Sequence, residues 1–290
     1  MNRYHIPVLL KESIDLLNVE KGKWYVDATF GDGGHTKEIL RRGGLVLALD
    51  IDEEAVLCGK KRFKKYIEKG VLILERGNFA NVDIAVQKAR VGGVAGVLYD
   101  LGVSLRQLEN KKRGFSFDSN AALDMRMSKE FAVTALDLLN ALDAGELAKI
   151  LRGFGEEPDA KKIALEIVRS RDTASIKTGE ELRTLVERVK GKHRSKANSA
   201  TRTFQALRIA VNGEIENLET SLPRAFKVLE PKGRIVVISF HSLEDRIVKR
   251  FCESEGGLFP VTKGIVRPAE SEVFENRKAR SARMRILEKR

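Results

Sequence analysis

Residues 24–50 decide the fold: Trp24-Tyr25-Val26-Asp27-Ala28-Thr29-Phe30-Gly31-Asp32-Gly33-Gly34-His35-Thr36, then Lys37-Glu38-Ile39-Leu40-Arg41-Arg42-Gly43-Gly44, then Leu45-Val46-Leu47-Ala48-Leu49-Asp50. Two short apolar runs, each closed by an aspartate, bracket a glycine-rich turn and a segment of helical length. The runs are continuous rather than alternating, as in strands buried on both faces of a parallel sheet. Two further runs follow, Val71-Leu72-Ile73-Leu74 and Val94-Ala95-Gly96-Val97-Leu98-Tyr99, separated by polar segments such as 53–68. Strand and helix in alternation read as an α/β, doubly wound, mostly parallel sheet of the Rossmann-like kind.

After Asp100 the pattern changes. From about Lys111 to Thr203 only helical periodicities occur, with Ile163, Ala164, Ile167 and Val168 on one face and Leu182, Leu185, Val186 and Val189 on another. A long helix carrying Phe204, Leu207, Val211, Ile215, Leu218 and Leu222 comes next. Glu230-Pro231-Lys232-Gly233 reads as a helix-to-strand turn, and Ile235-Val236-Val237-Ile238 resumes the buried-strand pattern. The helical stretch is therefore expected to be an all-helical domain (111–203) inserted into a sheet domain made of 1–110 and 204–290.

The turn after the first strand, Gly31-Asp32-Gly33-Gly34-His35-Thr36, opens a helix at the place where ligands bind in such sheets. Asp50, at the end of the second strand, is suited to accept hydrogen bonds from a ribose diol. Together they point to a cofactor containing a nucleoside. NAD and S-adenosylmethionine both qualify; the third glycine of the dinucleotide fingerprint falls on Thr36, which weakens the NAD reading without eliminating it. Two polar clusters end the fourth and fifth strands, Asp100-Leu101-Gly102-Val103-Ser104 and Ser239-Phe240-His241-Ser242-Leu243-Glu244-Asp245-Arg246. Ser242 reads as a helix N-cap with Asp245 three residues on, which leaves Ser239 and His241, with Asp100, as candidates to face the reacting group. The four histidines are scattered, without metal-ligand spacing, and no metal is expected.

The chain of 290 residues is 42% hydrophobic, and its two cysteines, Cys58 and Cys252, are far apart. A disulfide framework is not expected, and the reading is a cytoplasmic protein. The apolar stretch at Ile6–Leu10 is too short for a secretory core or a membrane span. The net charge is +12, and its distribution is uneven. Residues 188–213 contain no acid, while 276–290 hold seven basic residues and one acid, Glu288. Lys192, Arg194, Lys196, Arg202 and Arg208 in the first stretch, and Arg280, Arg283 and Arg285 in the second, are the expected RNA contacts. The competing reading is a generically basic surface.

Six strings, Ala28–His35, Asp100–Ser104, Arg113-Gly114-Phe115-Ser116-Phe117, Leu123-Asp124-Met125-Arg126-Met127, Ala200–Arg208 and Ser239–Arg246, resemble the bacterial ribosomal RNA small-subunit methyltransferase H (MraW) family. The resemblance extends from His5 to the Ala279–Arg283 tail. It implies a class I methyltransferase sheet with an inserted helical domain, S-adenosylmethionine as cofactor, and methylation of the exocyclic N4 of a decoding-region cytidine in 16S rRNA. By matching position it makes Gly33, Gly34, His35, Asp50, Phe79, Asp100 and Gln107 cofactor contacts, beside Gly31 of the same turn. Leu105-Arg106 stands where the family usually has Ser-Pro, and Pro158-Asp159 where it usually has Arg-Phe. The readings set against it are an NAD-dependent oxidoreductase and a non-catalytic RNA-binding assembly protein.

Overall fold

The computed structural model describes residues 7–171, 174–191 and 199–290. Lys192, Arg194 and Lys196 lie outside these described residues. The chain forms two compact units, Met1–Gly102 with Ile215–Arg290, and Val103–Glu214. The helical unit is thus wider at both ends than the stretch 111–203 read from the sequence.

The first unit is built on β1 (Trp24–Asp27), β2 (Leu45–Asp50), β3 (Leu72–Arg76), β4 (Val94–Asp100), β5 (Leu229–Ser239), β6 (Leu258–Pro260) and β7 (Arg283–Lys289). Their order is β3-β2-β1-β4-β5-β7-β6. The first five run parallel, and β7 is antiparallel to both β5 and β6. The order reverses between β1 and β4, which places a ligand crevice at their carboxyl ends.

Both faces of the sheet are covered. Val46, Ala48, Leu98, Val236 and Ile238 pack with Ile14 and Leu17 of α1 (Leu10–Leu17), Ile39 of α2 (Gly34–Arg41) and Val56 of α3 (Glu53–Arg62). Their strand neighbours Leu47, Leu49, Val97, Tyr99, Ile235 and Val237 face the other way, onto Val82 and Val86 of α5 (Val82–Lys88), Leu218 and Leu222 of α12 (Glu214–Val228), and Val248 of α13 (Ser242–Ser254). A short α4 (Lys64–Glu68) precedes β3. This double burial explains why the strand sequences read as unbroken apolar runs.

The helical unit comprises α6 (Leu105–Glu109), α7 (Ala135–Ala141), α8 (Ala144–Gly155), α9 (Ala160–Arg171), α10 (Gly179–Lys190) and α11 (Thr201–Asn212). Leu139, Leu147, Leu151, Ile163, Ile167, Leu182, Val186, Phe204 and Leu207 form its core. Capping boxes start several helices, as with Thr178 and Glu181 at α10. The strings 113–117 and 123–127 make one braced loop. Gly114 has φ 70°, and a side chain there would lie 2.5 Å from the Ala122 carbonyl. Arg113 donates to the carbonyls of Arg126 and Met127, and Asn212 holds Met125 and Met127. Met125 is buried at φ 58°, a left-handed conformation that these bonds secure.

Two local expectations change. The long helix from Phe204 to Leu222 is two helices, α11 and α12 (Glu214–Val228), because Gly213 turns left-handed at φ 59° and ends the first. Residues 230–233 lie within β5 as a bulge: Leu229 faces Val94 and Arg234 faces Gly96, with Lys232 at φ 64°. The basic stretch near the C-terminus holds α14 (Glu270–Glu275) just before it and β7 within it. Among the described residues, no helix is long and apolar enough to cross a membrane.

Candidate active site

The carboxyl ends of β1, β2 and β4 each carry an aspartate. Asp27 is wholly buried. It accepts hydrogen bonds from Thr36 Oγ1 at 2.6 Å and from the Thr29 amide at 3.2 Å. Burial pushes its pKa up to about 6 against those hydrogen bonds. Thr29 Oγ1 accepts from the Asp100 amide at 2.6 Å, tying the ends of β1 and β4 together.

The glycine turn owes its composition to several constraints. Gly31 (φ 53°) and Gly33 (φ 68°) are left-handed. A side chain at Gly33 would meet the Phe30 ring at 2.6 Å, and one at Gly34 would meet Pro7 at 2.1 Å. The space at those two positions is therefore filled by the protein itself, whereas at Gly31 nothing among the described residues comes closer than the Thr29 carbonyl at 3.9 Å. Gly33 precedes α2, whose N-terminus has no side-chain cap among the described residues.

Asp50 holds this turn in place. Its Oδ2 accepts from the Gly31 amide at 2.7 Å and its Oδ1 from the Asp52 amide at 2.8 Å. Each oxygen keeps a further lone pair for a ligand hydroxyl. Burial pushes its pKa up to about 6, aided by the charges of Asp52 and Asp27 and opposed by the two amides.

Asp100 is the most perturbed of the three. Its Oδ1 is enclosed and, among the described residues, has no hydrogen-bond partner. Its Oδ2 lies 3.7 Å from Nδ1 of the buried His35, too far for a hydrogen bond. Burial, then the charges of Asp27 and Glu244, push its pKa up to about 8. An unsatisfied carboxylate oxygen in such a place costs stability and is held for a ligand more readily than for the fold.

The end of β5 is organised differently from the expectation. The N-cap of α13 (Ser242–Ser254) is His241, not Ser242, which is the first helical residue. His241 Nδ1 accepts from the Glu244 amide at 3.4 Å, while Glu244 Oε2 accepts from the Phe240 amide at 2.8 Å and the His241 amide at 3.4 Å. The capping box is shifted by one residue because imidazole serves as the acceptor, so capping does account for His241. Ser239 is buried and donates to the Arg283 carbonyl of β7 at 3.1 Å.

Phe79 sits in a 3-10 turn (Phe79–Asn81) with its ring edge-on to Tyr99, centroids 5.8 Å apart. Its carbonyl accepts from Ser221 Oγ, which also pairs with the Tyr99 hydroxyl at 2.7 Å. In the helical unit, Gln107 is buried and forms the capping box of α6 with Ser104, so Leu105-Arg106 in place of Ser-Pro leaves that turn intact. Asp27, Thr29, Tyr99, Ser221 and Glu244 were not singled out in the sequence. Only Asp27 offered a signal, as a strand-end aspartate matching Asp50.

The basic candidates part company. Arg208 is bound through two nitrogens to Glu214, each at 2.8 Å, and Arg285 through two to Asp245 at 2.6 and 3.2 Å. Arg283 lies 3.6 Å from Asp245. Arg202 is exposed and donates to the Glu156 carbonyl, and Arg280 is exposed.

The model of the MraW methylase family matches residues 2–290. The chain belongs to the MraW methylase family. A relative from Caldicellulosiruptor saccharolyticus, named ribosomal RNA small subunit methyltransferase H, is 42% identical over 98% of this chain and 99% of its own length. Relatives of the same name from Halothermothrix orenii and Coprothermobacter proteolyticus are each 42% identical over 98% of this chain, covering 98% and 96% of their own lengths. The cofactor of this MraW methylase is S-adenosylmethionine. The strand-end residues fit it. A sulfonium and an ammonium are cations, and Asp27, Asp50 and Asp100 are carboxylates held at raised pKa by burial, with the charge of Asp27 adding to the rise at Asp50 and Asp100. The pyrophosphate of NAD would add negative charge to the same crevice.

Proposed function

We propose that this methylase transfers a methyl group to the exocyclic N4 of a decoding-region cytidine in 16S rRNA, in the cytoplasm. The observation that carries the reading is the enclosed Oδ1 of Asp100 at the end of β4, unpartnered among the described residues. Full-length similarity to relatives named for the small-subunit ribosomal RNA supports the substrate class. S-adenosylmethionine supplies a methyl group on a sulfonium, an intrinsically good leaving group. In this reading Gly31, Gly33, Gly34, His35, Asp50, Phe79 and Gln107 hold the cofactor, with Asp50 on the ribose hydroxyls.

The protein's task is to orient a weak nucleophile, because the N4 lone pair is delocalised into the cytosine ring. Asp100 accepts a hydrogen bond from the amine, turns its lone pair toward the methyl group, and takes the N4 proton as positive charge develops. Cation binding beside Asp100 lowers its pKa from about 8, so that it is ionised when the amine arrives. Ser239 and His241 shape the neighbouring edge through the Arg283 carbonyl and the α13 cap. Arg202 and Arg280 contact phosphates, as do Lys192, Arg194 and Lys196.

Asp100→Asn keeps the shape and removes the charge. Turnover at saturating cofactor is expected to fall roughly a hundredfold or more, and cofactor affinity to fall as well, because the sulfonium loses the carboxylate charge beside it. Lost affinity with turnover recovered at saturation would make Asp100 a cofactor ligand instead. Mass spectrometry of RNA digests identifies the product, and a methyl group on a ring carbon, on ribose or on adenine overturns the N4-cytidine assignment.

A further inference from the structure

The face that α8 and α9 turn away from the helical core has no role in the site described above. Leu147, Leu151, Ile163 and Ile167 are buried on the inner side. On the outer side the two helices border a groove of about 600 Å³, within the range of ligand-sized clefts. Its floor is Ala144, Gly145, Ala148, Gly153 and the aliphatic Leu165, which is 49% exposed. Lys149 and Arg152 of α8 rise on one rim and Lys161 of α9 on the other.

The charges here are unbalanced. Glu146, the acid of α8, is committed to its capping box with Asp143, and Glu166, the acid of α9, binds Arg188 at 2.5 Å. Three acids lie between the helices: Glu157 binds Lys190 at 2.6 Å, Asp159 lies 3.6 Å from Lys162, and Glu156 is the exposed C-cap of α8 and is itself engaged. Among the described residues, Lys149, Arg152 and Lys161 are exposed and have no ion-pair partner. Three uncompensated cations frame a floor kept at backbone level by small residues. Such a floor admits a sugar–phosphate backbone closely, and the lining has no aromatic ring on which bases would stack.

We propose that the α8–α9 groove binds the sugar–phosphate backbone of the RNA substrate, with phosphates on Lys149, Arg152 and Lys161 and a ribose against Ala148 and Leu165; this rests on the RNA-methylation reading above. The groove then positions the RNA without touching the reacting atoms.

The test uses the full chain carrying Lys149→Ala, Arg152→Ala and Lys161→Ala together, and separately Leu165→Asp. Binding to a 16S rRNA transcript is followed over a salt series, with methylation kinetics on the same transcript and on assembled small subunits. The triple variant is expected to flatten the slope of log affinity against log salt by about two units and to raise KM for RNA about tenfold. Its kcat at saturation and its cofactor affinity are expected to equal those of the wild type. Leu165→Asp, which puts a negative charge on the floor, is expected to raise KM in the same way. A triple variant with wild-type slope and KM overturns the groove while wild-type methylation leaves the main reading standing. Unchanged transcript binding with lost activity on subunits alone also overturns it, and makes a ribosomal protein the occupant. A wild-type chain that methylates no small-subunit RNA overturns the main reading and this one together.

Discussion

Asp50 shows how one side chain serves structure and ligand together. Its two oxygens hold the amides of Gly31 and Asp52, so it shapes the glycine turn before any cofactor arrives. Asp50→Ala is expected to weaken S-adenosylmethionine binding by roughly 1.5–3 kcal/mol, the range for hydrogen bonds to a charged group. That corresponds to about ten- to over a hundredfold in affinity by calorimetry. The variant should also melt earlier, because two amides lose their acceptor. A folded variant with unchanged affinity takes Asp50 out of the cofactor site. The strand-end placement of Asp50 and Asp100 was legible because an aspartate closes each apolar run. The basis of Gly33 and Gly34 was not legible, because Phe30 and Pro7 fill those positions only once the turn has formed. His241 was misread for a related reason. A serine beside it is the commoner cap, and only the helix register shows that the imidazole is the acceptor.

At the scale of elements, the parallel strands were readable and the antiparallel end of the sheet was not. β7 reads Arg283-Met284-Arg285-Ile286-Leu287, and its arginines drew attention as an RNA-binding tail. Its period of two, with Met284 and Ile286 buried, is the pattern of a strand. The structure inserts it antiparallel between β5 and β6 and sets Arg285 on Asp245 of α13. Sequence could not show this, because the two partners are 40 residues apart. Arg285→Ala is expected to cost about 1–2 kcal/mol of stability in urea titration, since the pair is largely but not fully buried. The salt dependence of RNA binding should change little. A flattened salt slope with unchanged stability would instead make Arg285 a phosphate contact.

Across the whole molecule, the alternation of strands and helices revealed the sheet, and the loss of strand-like runs after Asp100 revealed the helical unit. The unit boundaries after Gly102 and before Ile215 were not legible, because short α6 and the break at Gly213 have no periodicity of their own. The site's electrostatics emerge only when strands distant in sequence end side by side. Burial raises Asp27 and Asp50 to about 6 and Asp100 to about 8, above their ordinary value of 3.8. Groups that bind protons more tightly when folded contribute stability below the unfolded pKa, and that contribution is lost as pH rises through the folded value. Between about pH 5 and 8 the ligand-free protein is therefore expected to melt at progressively lower temperature in scanning calorimetry, with Asp27 and Asp50 acting over the lower part and Asp100 over the upper. Asp100→Asn should flatten the upper part, although His35 and Glu244 remain beside it. Saturating S-adenosylmethionine should flatten it as well, because its charge replaces the bound proton, and its affinity should rise with pH over the same interval. S-adenosylhomocysteine, which lacks the sulfonium charge, should flatten it less. Identical pH slopes in wild type and Asp100→Asn would mean that Asp100 is already ionised in the free protein, and its role as a carboxylate awaiting a cation would fall.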